Sequence, residues 1–250
     1  MEWNDDAIVL SLRGLGESSA VLTVLTRDHG RHAGLVRGGT GRRARGMLQP
    51  GNRIAAIWRG RLAEQLGTFT CEAGRPIAPE ALADPRPLAA VAAACAILAT
   101  AVPERAPVPQ LYAQFEALLD AIPGDPLWPA RYVCWEVDLL AELGWQLDLD
   151  RCALTGVQNN LAFVSPRTGR AVSAAAAEPW VNRLLVLPAF LVEADVPIAT
   201  QDIAAGLALT GHFLLRHAYA EQNRGLPDAR ARLPDVLARP GRPLEDGVAR

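Results

Sequence analysis

A change of pattern near residue 76 constrains the fold of this 250-residue chain more than any other feature. Before it come short apolar runs separated by glycines, such as "AIVLSLRGLG", "NRIAAIWRGRL" and "LGTFTCEAG". The run "SAVLTVLTRDHGRHAGLVRG" predicts two strands joined by a hairpin turn at Asp28-His29-Gly30. Five short strands with glycine turns predict a small closed barrel, although an SH3-like barrel would give much the same pattern.

Helical patterns follow the segment "GRPIAPE". They occupy four stretches, "EALADPRPLAAVAAACAILATAV", "PQLYAQFEALLDAI", "LWPARYVCWEVDLLAELG" and "QDIAAGLALTGHFLLRHAYAEQ". In the last stretch Ile203, Leu207, Thr210 and Leu214 recur at helical spacing and form one mostly apolar stripe. The second half of the chain is therefore predicted to be a helical domain.

The pattern change also divides the chain. We predict a barrel domain over residues 1–79 and a helical domain over residues 80–238. Residues 145–178, between the third and fourth helices, form an irregular insert with hairpin character. Residues 239–250, "RPGRPLEDGVAR", are predicted to be a disordered tail.

Charge is distributed unevenly, although the formal net charge is only −2. Residues 1–80 hold 11 Arg against 8 acidic residues, a balance of +3, and residues 81–250 hold 14 against 19, a balance of −5. Residues 29–63 contain eight arginines and no Asp or Glu. Solvated faces normally mix both signs, so this segment favours a surface that binds an anionic partner such as nucleic acid.

The segment "VRGGTGRRARGMLQPG" lies at the centre of this basic region. Gly41 and Gly46 have the glycine spacing of a P-loop, but Met47 and Leu48 stand where its Lys and its Ser or Thr belong. The chain contains no lysine, which excludes a P-loop nucleotide site. We predict instead a flexible basic loop that contacts nucleic-acid backbone; the alternative is a solvated turn.

The candidate nucleic-acid-binding residues are arginines from both halves of the chain. Such a groove would track phosphates, and Trp58 could stack on bases. The barrel candidates are Arg31, Arg37, Arg42, Arg43, Arg45, Arg53, Arg59 and Arg61. The helical candidates are Arg216, Arg224, Arg230 and Arg232.

No catalytic or metal-binding set of residues can be assembled from the sequence. The four cysteines form no C-x-x-C pair, and no G-x-S-x-G elbow is present. His212 and His217 are five residues apart and so lie on different faces of a helix. We therefore expect no enzyme activity, no metal and no cofactor.

Two further segments bear on the location of the protein. The acidic N-terminus, "MEWNDDAIVL", is unlike a signal peptide because it has no basic region. The longest uncharged run, "PLAAVAAACAILATAVP", is short for a membrane span. We expect a cytoplasmic protein without membrane contact.

Tryptophans cluster around the third predicted helix, at Trp128, Trp135 and Trp145. Core packing accounts for them, and for Trp135 it is the simpler interpretation. A groove lined by such rings, with Arg131 at its rim, would also take a short acidic and apolar peptide. Arg131 and Trp135 are therefore the candidate peptide-binding residues.

Several segments together resemble the RecO family of bacterial recombination mediators. They are "AIVLSLRGLGESSAVLTVLTRDHGRHAGLVRGG" followed by "MLQPGNRI", the helix end "ELGW" followed by "DRCALTG", and the late "LLRHAYAEQNRGLPDARARL". The resemblance covers residues 1–238. It implies an α+β protein with a five-stranded OB-fold barrel, then an all-helical domain with a zinc-finger-like insert.

The same resemblance implies a function. It implies binding of single- and double-stranded DNA, annealing of complementary strands, and loading of RecA onto gaps coated by single-strand-binding protein. The implied partners are RecR and the acidic C-terminal tail of single-strand-binding protein. In that role the candidate arginines would contact DNA, and Arg131 with Trp135 would contact the tail.

One departure from the family concerns the insert. Cys152 matches the first of four zinc-binding cysteines found in some RecO proteins, but Thr155 stands where the second would be. Nothing near "RAVSAAAA" replaces the last two. A closed structural zinc site needs four ligands, so we expect a metal-free insert held by packing and hydrogen bonds.

Three other functions remain open on the residues alone. An OB-fold protein that binds RNA would use the same stacking and the same charge. A protein-interaction scaffold could use the basic loop to meet an acidic protein. An enzyme with an unrecognised site is disfavoured by the missing catalytic set.

Overall fold

The computed structural model describes residues 1–62, 64–77, 84–220 and 223–239. Five strands form the N-terminal sheet: β1 Glu2–Leu15, β2 Ser19–Thr26, β3 Gly30–Val36, β4 Arg53–Arg59 and β5 Thr68–Ala73. The strands pair in the order β1-β2-β3-β5-β4, and β4 also pairs with β1, so the sheet closes on itself. The prediction of five N-terminal strands followed by helices is confirmed.

Strand β1 is long enough to pair with two neighbours. Its first half pairs antiparallel with β4 and its second half with β2. A register shift between Val9 and Ser11 marks the bend between these two partners. On the other side of the sheet, β3 and β5 meet in parallel at one residue pair, Leu35 opposite Thr68. Strand β5 therefore has far less strand cover towards β3 than towards β4.

Aromatic rings fill the interior of the N-terminal sheet. Trp58 and Phe69 are buried there, and Trp3 packs against them. Strand alternation directs these side chains inward, as the alternating burial along β3 and β4 shows. His32 is also buried and lies 5.0 Å from both Trp3 and Trp58 between ring centroids. Neither ring nitrogen of His32 has a hydrogen-bond partner among the described residues.

The turn between β2 and β3 confirms the predicted hairpin at Asp28-His29-Gly30. Gly30 has φ of 66°, a left-handed conformation that favours glycine. A Cβ atom at Gly30 would also lie 1.9 Å from the carbonyl oxygen of Ala106. The Thr26 hydroxyl donates a hydrogen bond of 2.9 Å to the Gly30 carbonyl oxygen. Glycine is required here both by the turn and by the close approach of the helical region.

The segment predicted to be a flexible basic loop contains a short helix, which corrects that prediction. Helix α1 spans Arg42–Met47, and the next residue, Leu48, is buried in the interior of the sheet. The Asn52 side-chain amide donates to the carbonyl oxygens of Gly46 and Met47 at 3.3 and 3.0 Å. Its Oδ1 accepts a bond of 3.0 Å from the backbone N–H of Ile77. Asn52 thus fixes the end of α1 against the sheet.

Helices dominate the rest of the chain. The longer ones are α2 Pro85–Ala101, α3 Pro109–Ala121, α4 Trp128–Glu142, α6 Thr200–Leu214 and α7 Asp228–Leu237. Helix α6 continues into a π-helical turn over Leu215–Tyr219. The apolar stripe predicted on α6 is buried at all four positions, including Thr210. Residues of β1 and β2, among them Ile8 and Leu25, belong to the same hydrophobic core as these helices.

The insert contains a small three-stranded sheet, in the order β7-β6-β8. Its elements are β6 Leu161–Val164, β7 Ala171–Ser173, helix α5 Ala174–Ala177 and β8 Leu185–Val186, with short 3₁₀ turns at Glu178–Arg183 and Ala189–Leu191. The Cys152 sulfur accepts hydrogen bonds from the backbone N–H and hydroxyl of Ser173, at 3.3 and 3.5 Å. Within the described ranges, no three His, Cys, Asp or Glu residues cluster as metal ligands would. The metal-free insert stays a prediction.

Two predictions about organisation concern residues that are not described. The predicted domain boundary between residues 79 and 80 lies within residues 78–83, outside the described ranges. Residues 240–250 of the predicted disordered tail also lie outside them. The division into domains over 1–79 and 80–238 therefore stays a prediction.

Candidate nucleic-acid interface

Helix α1 and the turn before it carry four exposed arginines, Arg37, Arg42, Arg43 and Arg45. We refer to these four residues as the arginine cap. The apolar residues of the segment determine which way it faces, because Ala44 and Met47 pack against the interior of the sheet. The polar side of the short helix is left to solvent.

The arginine cap has no counter-charges. No ion pair joins any of its four guanidinium groups to a carboxylate of the described residues, whereas eight arginines elsewhere in the N-terminal sheet and the helical region form such pairs with aspartate or glutamate. Unpaired, solvated guanidinium groups can bind phosphate bidentately without first breaking an internal ion pair. The cap is thus the strongest candidate for an anion-binding surface.

A groove of about 1060 Å³ runs between the arginine cap and strand β5. Arg37, Arg42 and Arg43 line one side, and Thr68 and Thr70 belong to the strand opposite. The groove exists where β5 is not paired with β3, since those strands meet only at Leu35 and Thr68.

The chemistry of the groove is polar and mostly cationic. Glu72 is the one carboxylate among its lining residues. Cys71 also lines it, and burial raises the pKa of that thiol to about 11, so the group is neutral. A phosphate backbone could therefore approach the cap with one acidic side chain nearby.

Three other predicted arginines of the N-terminal half are already engaged. Arg53 is 10% exposed and pairs with Glu116 at 3.3 Å and with Asp120 at 2.6 Å, both on α3. Arg31 is also largely covered and pairs with Glu104 at 3.1 Å. The structure corrects the prediction that Arg53 lines a DNA groove, because its guanidinium joins the sheet to the helical region.

Arg31 makes a second bond across the same contact, since its Nε donates to the Val102 carbonyl oxygen at 2.6 Å. Arg59 is exposed but pairs with Glu2 at 2.8 Å. Arg61 is exposed, and no ion pair forms between it and the described residues. Of these three, only Arg61 resembles the arginine cap in being both exposed and unpaired.

Arg230 requires a larger correction. Its side chain is 1% exposed, and its Nε and Nη2 donate to the carboxylate of Glu136 at 2.5 and 2.8 Å. Nη2 also donates to the Leu207 carbonyl oxygen at 2.7 Å, and the Thr210 hydroxyl donates to Glu136 at 2.5 Å. Arg230 therefore holds α7 against α4 and α6 inside the protein and cannot extend a DNA-binding surface.

The other helical candidates remain at the surface. Arg216 is exposed and donates to the Pro166 carbonyl oxygen at 2.6 Å. Arg232 is exposed and donates to the carbonyl oxygen of Asp228, one turn earlier on α7, at 3.2 Å. Arg224 is exposed as well. Their contribution to a basic path stays a prediction.

The candidate peptide-binding residues separate into one surface and one core residue. Arg131 is exposed on α4 and forms an ion pair with Asp125. Trp135 is 3% exposed and packs against Phe115 and Tyr132. The prediction that Trp135 contacts a partner is wrong for this structure, because the ring is in the core, as the simpler interpretation had it.

Trp58 is likewise not available for stacking on bases. Its indole N–H donates to the Leu66 carbonyl oxygen at 3.1 Å. Gly60 and Gly67 cover the ring so closely that a Cβ atom at either would lie 2.4 Å from it. The glycines of the β4–β5 loop, which read as turn signals in the sequence, also allow that loop to cover Trp58.

Sequence reasoning missed the residues opposite the arginine cap. Thr68 and Thr70 face the groove from a strand that carries no unusual pattern. It also missed Glu116 and Asp120, the acidic partners of Arg53, because they lie more than sixty residues away in the chain. A contact at that sequence separation leaves no local signal.

The described ranges contain no helix with the length and apolar character needed to cross a membrane.

Comparison with known proteins gives the same result along the whole chain. The family model described as "Recombination protein O N terminal" matches residues 1–74, and "Recombination protein O C terminal" matches residues 58–226. A curated DNA repair protein RecO from Rhodospirillum centenum is 52% identical over 237 residues, 94% of each chain. One from Rhodospirillum rubrum is 47% identical over 245 residues, 96% of this chain and 97% of the relative. One from Phenylobacterium zucineum is 48% identical over 245 residues, 97% of this chain and 100% of the relative.

Proposed function

The chain belongs to the RecO family of DNA repair proteins, and on that premise we propose that it is a mediator of homologous recombination. In this role it binds single- and double-stranded DNA and anneals complementary strands. It also helps to load RecA onto gaps coated by single-strand-binding protein. The contact with DNA is made by Arg37, Arg42, Arg43 and Arg45.

The strand arrangement supports an OB-fold assignment for the N-terminal sheet. Five strands close on themselves, a long first strand pairs with both β2 and β4, and β3 meets β5 in parallel. A five-stranded Greek-key barrel of this kind is the OB-fold, which commonly binds oligonucleotides. The resemblance noted in the sequence and the observed pairing agree on this assignment.

One observation carries the functional proposal: the arginine cap is exposed and has no carboxylate partners among the described residues. Elsewhere the protein neutralises arginines that lie near its own acidic groups, as it does for Arg53 and Arg230. Unpaired like charges repel one another and weaken folding slightly. A binding partner that supplies negative charge gives these residues a role that folding does not.

Annealing by such a surface requires no catalytic acid or base. Two complementary strands repel each other through their phosphates, and cationic groups that neutralise part of that charge let them approach. We therefore propose a non-enzymatic role, without metal or cofactor, in the cytoplasm. The insert around Cys152 would hold its shape by packing and hydrogen bonds alone.

We further propose RecR and the acidic tail of single-strand-binding protein as partners. A pocket of about 190 Å³ lies beside α4, with Trp128, Ile203 and Leu237 among its apolar lining residues and Arg86 at one side. Leu127, which also lines it, precedes Arg131 by one helical turn. Apolar lining beside two arginines suits a short acidic and apolar peptide. Trp135 takes no part in this version of the proposal.

The test is fluorescence anisotropy of a labelled single strand, titrated at several salt concentrations. We compare wild type with a variant carrying Arg42→Glu, Arg43→Glu and Arg45→Glu. For wild type, log K falls by ~0.7 per phosphate contact against log salt. Loss of three contacts should lower that slope by about 2 and weaken binding at least tenfold at low salt.

A matched control changes the same number of charges elsewhere. Arg151, Arg167 and Arg183 are exposed in the insert and can be changed together to Glu. If this control loses as much affinity as the cap variant, net charge and not the cap governs binding, and the proposal fails. An RNA strand of equal length tests the RNA-binding alternative. Binding that vanishes at physiological salt for every nucleic acid would favour a protein scaffold.

A further inference from the structure

Aromatic rings, which single-strand-binding surfaces normally expose, are almost absent from the surface of this protein. The chain has six Trp, five Phe and three Tyr, and all of them lie in the described residues. One ring, Trp180, is more than about a third exposed, at 50%. It lies on the insert, with the Arg183 guanidinium 6.0 Å from its centroid.

The N-terminal sheet uses every one of its rings internally. Trp3, Trp58 and Phe69 are the only Trp, Phe or Tyr residues before residue 77, and they contact one another. The rings of Trp3 and Trp58 stack at 5.9 Å between centroids, and Phe69 meets Trp3 edge-on at 5.8 Å. Turning any of them outward would empty the core, because Trp58 is 1% exposed.

The groove beside the arginine cap has the same character. Phe69 is its one aromatic lining residue, and that ring is buried beneath the strand. What remains towards solvent is the arginine cap together with Thr68, Thr70 and Cys71. Hydroxyl and guanidinium groups bind phosphate and sugar oxygens, whereas base stacking on a protein surface needs an exposed flat ring.

From these observations we infer that the arginine cap holds nucleic acid by its sugar–phosphate backbone alone and leaves the base edges and faces free to pair. The inference rests on the proposed function and makes it more specific. It gives annealing a physical basis: a strand bound through stacked bases must be unstacked before it can pair, but a strand bound through phosphates need not be. The recognised ligand is a polyanionic sugar–phosphate chain, with or without bases.

The experiment compares two labelled strands of equal length on wild-type protein. One is an oligothymidylate of about 20 nucleotides, longer than the ~4–16 nucleotides that one OB-fold covers. The other is a strand of abasic sugar–phosphate units with the same charge. One stacked base contributes about fivefold or more to affinity. We expect the two dissociation constants to differ by less than about fivefold, with equal salt slopes; a larger preference for the oligothymidylate overturns the inference.

Two variants separate this inference from the proposed function. The triple change at Arg42, Arg43 and Arg45 should weaken both strands equally. If it weakens neither, the proposed function fails. If it weakens binding while wild type still prefers the base-bearing strand by more than about fivefold, only the present inference fails. Trp180→Ala, which removes the one well-exposed ring, should leave both affinities unchanged; a selective loss for oligothymidylate would identify a stacking site on the insert and contradict the inference.

Discussion

The arginine cap and the arginines that face the helical region have the same residue type but opposite surroundings. Arg42 and Arg43 lie on a short helix with no carboxylate near them, while Arg53 lies against two carboxylates of α3 and Arg230 against Glu136 inside the protein. Both sets looked alike in the sequence. The difference teaches that the function of an arginine here depends on which acidic residues the fold brings to it.

A third outcome is visible at His32. This basic group is buried but has no partner, so it avoids the cost of a buried charge by losing its proton. Burial, followed by the charges of Arg105 and His29, lowers the pKa of His32 to about 4. Exposed and unpaired, buried and paired, and buried and neutral are thus three distinct states of basic residues in one chain.

The largest expected effect is at the buried pair. Arg230→Met leaves the Glu136 carboxylate buried without its partner, and we expect the free energy of unfolding to fall by about 3–5 kcal/mol. Chemical denaturation measures this. Arg232→Met, at an exposed position on the same helix, is the matched control and should change stability by no more than ~0.5 kcal/mol. The double change Glu136→Leu with Arg230→Met should recover most of the loss; if it does not, the pair is not the cause.

The next effect concerns the neutral buried group. In the unfolded chain His32 takes up a proton below pH ~6.5, whereas in the folded protein it does so only near pH 4. Stability is therefore complete above pH ~6.5 and falls as the pH drops from there towards 4, by up to about 3 kcal/mol from this group. The measurement is unfolding free energy against pH for wild type and for His32→Leu. The variant should lose less stability over this window; identical slopes would mean that His32 is protonated in the folded state.

A smaller effect separates a half-hidden arginine from an exposed one. Arg53→Ala removes charge-assisted bonds between the sheet and α3 and should cost about 2 kcal/mol of unfolding free energy. Arg59→Ala removes an ion pair that is well exposed on both sides, and should cost less than ~0.5 kcal/mol. Thermal or urea unfolding of the two variants tests the distinction. Equal losses would show that burial does not separate these two arginines.

The smallest effect is at a single residue of the cap. Arg43→Ala should leave stability within ~0.5 kcal/mol of wild type, because its side chain has no internal partner. It should lower the slope of log K against log salt for a single strand by ~0.7, the loss of one phosphate contact. Anisotropy titrations measure the slope. A destabilised variant with an unchanged slope would reverse the comparison between the cap and the buried arginines.

Much of the architecture was predictable because it is encoded locally. Alternating apolar residues indicated the five strands, a glycine at the turn indicated the β2–β3 hairpin, and helical spacing on α6 indicated a stripe that is indeed buried. Each of these signals spans a few residues and reflects backbone geometry. The predicted metal-free insert depends on missing ligands and stays untested.

The sequence by itself therefore determined the order and type of the elements, the family, and the concentration of arginines between residues 29 and 63. Only the tertiary structure decided which arginines are free, that the central segment is partly helical, and that Trp58 and Trp135 point into cores. The physical reason is distance along the chain. Arg53 and Glu116 are separated by 63 positions, and Glu136 and Arg230 by 94, so charges that cancel in space are unrelated in any local pattern.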